Sequence, residues 1–327
     1  MGIEVIYLAL IPDVRFFELL PNVIYSEPLN NRNRHKLNLQ FTIGYIRRNI
    51  SKHRPDAIIG FTKFYAAITN VALVGTLNRI YVTERSSPLF KWPWHIELFC
   101  KLAFSVRRVS GVISQTQIAS TYHQKYYGHT RYVVIPNILT EVKLFPEIDR
   151  EKIILAVGRF GDFCKGFDLL VQAFNLVKDN EWRLVFVGGT RHEGQALLDL
   201  ARDDVRDRID FLGGIRSVDQ EYARAGIFVM PSRLEGFPNA LAEALSAGCC
   251  CVSFDFTAGP RDLINDGING ILVPAERTDL LAAQLNNLMA NSELRYQLGQ
   301  AALSTRGRLR GDNCAQQHVD FLRNVWN

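Results

Sequence analysis

No stretch of this 327-residue sequence approaches the roughly 18–20 continuous apolar residues that cross a bilayer. The N-terminus has no basic segment followed by an apolar core and a small-residue cleavage site, so an exported protein is not expected. No C-x-x-C pair occurs, which argues against both a zinc site and a disulfide framework. The six cysteines (Cys100, Cys164, the run Cys249-Cys250-Cys251, and Cys314) then read as reduced, mostly buried thiols of a cytosolic protein. The pair Gly188-Gly189 is not a G-x-G-x-x-G turn, so no nicotinamide site is read. No D-x-D occurs, and Asp203, Asp204 and Asp207 cluster at other spacings. Internal repeats, low-complexity segments and nucleic-acid-binding motifs are absent as well.

A hydrophobic fraction of 47% and a mean hydropathy of -0.02 describe a soluble globular chain, long enough for about two domains. The net charge of +5 is uneven: residues 1–150 hold 19 Lys and Arg against 10 Asp and Glu, leaving 19 against 23 for the rest. The basic half can meet anionic lipid or a lipid-pyrophosphate acceptor.

Short apolar runs alternate with amphipathic segments along that half. Glu4–Leu10 and Asn22–Tyr25 are extended, a basic loop covers Asn30–Arg34, and Leu37–Lys52 shows helical spacing. Pro55–Gly60, Ile80–Thr83, Gly111–Thr116 and Tyr132–Asn137 are strand candidates, with a helix over Tyr65–Leu77. Such βα units argue a doubly wound parallel sheet. Ser86–Arg108 interleaves Phe90, Trp92, Trp94, Phe99 and Phe104 with Lys91, Lys101, Arg107 and Arg108. It reads either as a membrane-interface segment or as a helix packed on the sheet behind a Pro-rich start.

A second Rossmann-like sheet follows. Its strands are Lys152–Arg159, Trp182–Val187, Asp210–Leu212, Gly226–Met230 and Cys250–Phe254, with helices at Leu169–Phe174 and near Gly194–Asp204. Its centre is Ser232–Leu245: an apolar strand, a polar loop with Gly236 and Pro238, then a helix with Asn239 as candidate N-cap and Gly248 as terminator. The N-terminus of that helix faces the carboxyl end of the sheet, where free N–H groups favour phosphate. Glu235 and Glu243 bracket it and suit hydroxyls better than a naked phosphate. A ligand with a central diphosphate and hydroxyl-bearing rings on both sides, such as a nucleotide sugar, fits this arrangement.

The E-x7-E spacing of Glu235 and Glu243 within PSRLEGFPNALAEALSAG, continued by SFDFTAGPRDLINDGINGILVP, resembles the donor-site signature of retaining GT-B glycosyltransferases of family 4. The likeness is greatest to a bacterial subset that builds capsule, lipopolysaccharide O-chain and amylovoran-type exopolysaccharide. It implies two Rossmann-like domains facing a cleft: residues 1–138 on the acceptor side, 139–308 binding the nucleotide sugar, and 309–327 as a helix returning to the first domain. It also implies transfer of a hexose or N-acetylhexosamine from a nucleotide sugar, UDP-linked by preference, to a lipid-linked or polysaccharide acceptor. Configuration would be retained and neither metal nor cofactor required. The setting implied is cytoplasmic, with peripheral contact at the inner membrane face.

On the same resemblance, Arg159 and Lys165, in G-R-F and K-G-F settings beside Gly158, hold the donor's β-phosphate, and Glu235 the sugar. Gly236, Phe237, Pro238 and Asn239 approach sugar hydroxyls, the N–H groups of Ala240 and Leu241 face the diphosphate, and Glu243 takes the ribose. The base lies against Gly214-Ile215-Arg216, through Ile215. Glu84 and Arg85 stand where the family often has a His-containing loop and are acceptor-side candidates, the other reading of Glu84 being a loop ion pair with Arg85. The family's opening strand and Gly-rich loop are not seen before Glu4, which implies a first domain lacking its first βα unit. Two alternatives stay open: a catalytically silent homologue or partner subunit that binds nucleotide sugar, and a nucleotide-sugar epimerase.

Overall fold

A computed structural model describes residues 2–10, 19–28, 38–139 and 141–323. The basic loop expected at Asn30–Arg34, and Leu37, Val325 and Trp326, lie outside them. Contacts divide the chain into two compact units, residues 1–84, 91–113 and 127–131 in one, and 85–90, 114–126 and 132–327 in the other.

Strands β1 (Val5–Leu8) and β2 (Val23–Ser26) pair in parallel as a two-stranded sheet of their own. Among the described residues they do not join the next sheet, a departure from the single doubly wound sheet expected. The burial pattern gives the reason: β1 alternates exposed and half-buried residues, whereas a strand inside a parallel sheet is covered on both faces. Helix α1 (Leu39–His53) is N-capped by Asn38, whose side chain accepts from Phe41 N, and buries Tyr45, Ile46 and Ile50.

Next come β3 (Ile58–Phe61), α2 (Lys63–Ala72), β4 (Ile80–Thr83), α3 (Trp94–Val106), β5 (Gly111–Ser114), α4 (Gln117–Tyr127) and β6 (Tyr132–Val134). The sheet order is β3-β4-β5-β6, with the first two pairings parallel. β4 and β5 are buried at every position. α2 stops at Ala72, short of the expected Leu77, and Gly75 at φ +83° carries the chain away. α4 was not anticipated, because QIASTYHQKYY has too few apolar residues to show a period.

The second unit holds β7 (Glu151–Val157), α5 (Phe167–Phe174), β8 (Arg183–Val187), α6 (Arg191–Leu198), α7 (Asp203–Arg206) and β9 (Ile209–Gly213). After these come α8 (Asp219–Arg224), β10 (Ala225–Met230), α9 (Asn239–Ser246), β11 (Cys251–Asp255), α10 (Pro260–Leu263) and β12 (Ile271–Pro274). Four helices close the described residues: α11 (Thr278–Ala290), α12 (Ser292–Ala302), α13 (Thr305–Arg308) and α14 (Gly311–Arg323). The single helix expected near Gly194–Asp204 is two, α6 and α7, and the tail helix begins at Gly311. The sheet runs β12-β11-β10-β7-β8-β9, parallel throughout.

Its core gathers Leu155, Trp182, Phe186, Phe228, Leu245 and Phe254, all at most 1% exposed, each such side chain worth about 1.5–3 kcal/mol. Gly248 ends α9 as expected: at φ +72° it lets Gly248 N reach Leu245 O and Cys249 N reach Ala244 O, closing both orphan carbonyls. That turn delivers Cys249, Cys250 and Cys251 straight into the core.

Candidate donor site

Strand order in the second sheet reverses between β7 and β10, its two adjacent central strands. Open parallel sheets bind ligands at the carboxyl ends flanking such a reversal, because the two loops part there. The loops after β7 and β10 carry most of the residues singled out from sequence.

After β7, Gly158 leads into Arg159, whose guanidinium is exposed and paired with Asp162 at 2.6 Å. Asp162 also caps the 3-10 turn Phe163–Lys165 by accepting from Cys164 N at 3.0 Å. Burial pushes the Asp162 carboxyl up, but these hydrogen bonds outweigh it and leave it below the usual range. Gly166 follows at φ +64°, where a Cβ would stand 2.0 Å from Pro231 O. Only glycine lets the backbone of the β10 loop pass this close.

After β10, the buried Ser232 donates from Oγ to Glu235 Oε1 at 2.8 Å. Lys165 Nζ reaches the same oxygen at 2.8 Å, with 20% of the lysine side chain and 12% of the glutamate exposed. The pair is therefore sheltered but open on one side. Arg233, which sequence reasoning left without a role, clasps the two loops together. It grips Asp168 with two bonds of 2.7 Å, donates to Phe163 O at 3.0 Å and lies 4.1 Å above the Phe163 ring. Hydrogen bonding to Arg233 holds the Asp168 carboxyl below its usual range. An arginine two residues before Glu235 was the only signal for this in the sequence.

Phe237 and Pro238 are buried, and Gly236 lies against the backbone of Arg85, whose carbonyl a Cβ would meet at 2.1 Å. Asn239 is not the N-cap expected. It is the first residue of α9, with Pro238 before it, and its Oδ1 accepts from Asn137 Nδ2 at 2.8 Å. The side chain is drawn outward by a partner 102 residues away, so it cannot fold back on its own helix. Asn137 in turn accepts from Arg85 and Gln115. Ala240 and Leu241 occupy the first turn of α9, where backbone N–H groups lack intrahelical acceptors.

Glu243 is half-buried one turn further on, and its Oε2 accepts from Tyr222 Oη at 2.9 Å. Burial raises the Glu243 carboxyl above its usual pKa, with the Tyr222 hydrogen bond pulling the other way. Tyr222, 1% exposed on α8, could not have been assigned from sequence, since nothing in the local pattern points it at α9. Ile215 is exposed in the loop after β9, at the carboxyl edge of the same sheet but two strands from β7.

Glu84, 6% exposed, accepts from Lys63 N at 2.9 Å and so neutralises the N-terminus of α2, while Arg85 donates to Asn137. Desolvation lowers the Arg85 guanidinium's pKa. Asp203 and Asp204 pair with Arg206 (3.4 Å) and Arg202 (2.8 Å) on the surface.

Residues 151–291 match the family described as Glycosyl transferases group 1. Among curated proteins, the amylovoran biosynthesis glycosyltransferase AmsD of Erwinia amylovora is 29% identical over 53% of this chain and 46% of its own length. The lipopolysaccharide core biosynthesis mannosyltransferase LpcC of Rhizobium leguminosarum bv. viciae is 33% identical over 52% of this chain and 50% of its own. The chain thus spans about half the length of these relatives. Two solved structures are similar along nearly the whole chain. One is sucrose-phosphate synthase from Thermosynechococcus elongatus, with a TM-score of 0.84, 17% identity and coverage of 99% of this chain and 90% of the other. The other is Anabaena Alr3699/HepE in complex with UDP, with a TM-score of 0.79, 16% identity and coverage of 93% and 87%. Residues 151–291 are accordingly a group 1 glycosyltransferase domain, within a chain that has the GT-B fold.

Proposed function

We propose that the chain transfers a hexose or N-acetylhexosamine from a nucleotide sugar to a lipid-linked or polysaccharide glycan, with retention of configuration and without a metal or cofactor. The observation that carries this reading is the Lys165–Glu235 contact of 2.8 Å, joining the two loops at the strand-order reversal beside the first turn of α9. A diphosphate seated there meets Arg159, Lys165 and the N–H groups of Ala240 and Leu241. Cation and helix terminus together stabilise the charge that grows on the departing phosphate. Glu235 then aligns sugar hydroxyls against the backbone of Gly236–Asn239, and Glu243, held by Tyr222, accepts from the ribose.

In the transfer step the bond from the anomeric carbon to the phosphate oxygen breaks as the acceptor oxygen bonds to that carbon from the same face. The acceptor's proton passes to the leaving phosphate. Glu235 is spoken for by Lys165 and Ser232, which favours a binding role over a nucleophilic one. Uridine is preferred as the base because Alr3699/HepE, of like fold, is a complex with UDP, and with UDP-glucose in a further structure.

Calorimetry with UDP, followed by turnover of a UDP-sugar panel with lipid-linked acceptors, tests the reading on wild type, Glu243→Ala and Lys165→Ala. UDP binding that weakens in Glu243→Ala, with release of UDP from one sugar that Lys165→Ala abolishes, is the expected result. Binding without turnover on any acceptor would overturn the transferase reading. Absence of UDP binding would redirect the panel to GDP- and ADP-sugars.

A further inference from the structure

Helix α3 carries large apolar side chains on two opposite faces, with exposed His95, Lys101 and Ser105 beside the outer one. One face packs inward: Cys100 and Ala103 are buried, with Ile96, Phe99 and Phe104 against them. The opposite face leaves Trp94 77% exposed, Leu98 49%, Leu102 58% and Val106 67%. Four-residue spacing puts these side chains in one stripe along the whole helix. The contrast within the molecule is plain: α14 presents Asp312, Asn313, Gln316, Gln317, Asp320 and Arg323 outward. A soluble helix keeps a polar outer face, and an open stripe of large apolar side chains marks a surface that something covers.

Charge says what covers it. The exposed charged residues on and beside this helix are Lys91, Lys101 and Arg108. Its one acid, Glu97, is tied to Lys63 Nζ at 2.6 Å. Asn70 donates to Ala103 O and Arg107 O, and Arg107 donates to Asn78 O, so the segment after α2 abuts the C-terminal end of α3. That segment adds Val74 (42% exposed) and Leu77 (101%). An apolar stripe led by a tryptophan and flanked by cations alone matches an anionic lipid surface, into which the apolar face sinks while the cations meet headgroups. No described helix is long and apolar enough to cross a membrane.

We propose that the outer face of α3, from Trp94 to Val106, docks this chain on an anionic lipid bilayer. The docking is independent of the donor site, so its failure and that of the transferase reading are separable.

Co-sedimentation of the full chain with phosphatidylcholine vesicles, and with vesicles carrying about a third phosphatidylglycerol, tests it. Wild type is expected to bind the anionic vesicles and to lose binding as salt rises. Leu98→Asp with Leu102→Asp should weaken binding at least about ten-fold. Lys101→Glu with Arg108→Glu, which leaves the apolar stripe intact, should weaken it about five-fold or more per charge, with an unchanged thermal midpoint. Equal binding to both vesicle types, or binding untouched by either pair of substitutions, would overturn the proposal. So would a dimer, seen by sedimentation equilibrium, that the Asp variant dissociates, since a second copy would then be what covers the stripe.

Discussion

Arg233→Lys is the sharpest test of how the two loops of the candidate site are held. Arginine makes five contacts here: two bonds of 2.7 Å to Asp168, one of 3.0 Å to Phe163 O, an ion pair of 3.5 Å with Glu276 and a stack 4.1 Å above the Phe163 ring. A lysine ammonium keeps the charge but has no fork, so it retains one bond to Asp168 and gives up the rest. One charge-assisted bond is worth about 1.5–3 kcal/mol, and the stack at a part-exposed site about 0.5–1 kcal/mol. Relaxation of the loop recovers some of this, so the expected loss is about 2–3 kcal/mol. For a domain of roughly 150–250 residues that lowers the midpoint by about 5–10 °C in scanning calorimetry.

The Asp168 carboxyl is held below its usual value, so this stabilisation is complete above the unfolded-state value of about 4 and is lost as pH falls through the depressed one. The gap between wild type and variant should therefore persist at neutral pH and close in acid. Because the clasp joins the turn of Lys165 to the loop of Glu235, turnover should fall even where the variant is fully folded. A midpoint within about 1 °C of wild type at neutral pH would refute the contact energies. A lowered midpoint with unchanged kcat/KM would refute the link from clasp to site.

Three further outcomes follow from the same geometry. Glu243→Gln should stabilise the unliganded protein near pH 7 and weaken UDP about ten-fold or more. Burial raises this carboxyl, so its penalty is absent below the unfolded value and full above the raised one, and the gain should vanish near pH 4; urea unfolding across pH would show it, and a destabilised variant would count against it. Gly166→Ala forces a Cβ to within 2.0 Å of Pro231 O at φ +64°, and should cost about 2–4 kcal/mol in denaturant titration. Cys249, Cys250 and Cys251 are buried, and desolvation pushes Cys250 to about 12, so a thiol reagent under native conditions should modify the half-buried Cys164 before any of the three, as peptide mass spectrometry would read.

Much of the second unit was legible because its signals are local. β10 is a continuous apolar run, as a strand covered on both faces must be, and α9 is built of strong helix formers stopped by Gly248. Gly166, Gly236 and Glu235 fall in the loops between such elements and Glu243 one turn inside α9, so their positions could be read from spacing alone. The first unit was less legible. β1 and β2 looked like ordinary members of one sheet, and only their half-exposed faces and mutual pairing set them apart. Ser86–Arg108 read equally well as a packed helix or an interfacial one, because a helix with large apolar side chains on two faces carries both patterns; α3 packs one face and leaves the other open.

By itself, then, the sequence determined the strands β7, β8, β10 and β11 and the helices α5 and α9 of the second unit and which loops carry acid, base and glycine, since burial period, turn chemistry and capping act over a few neighbouring residues. Tertiary structure alone decided the partners. Lys165 meets Glu235 across 70 residues, Arg233 meets Asp168 across 65, and Asn239 leaves its helix for Asn137 across 102. Those pairings depend on strand order, with β7 and β10 made neighbours by a reversal that no local pattern encodes, and strand order is settled only when the whole sheet buries its two faces at once.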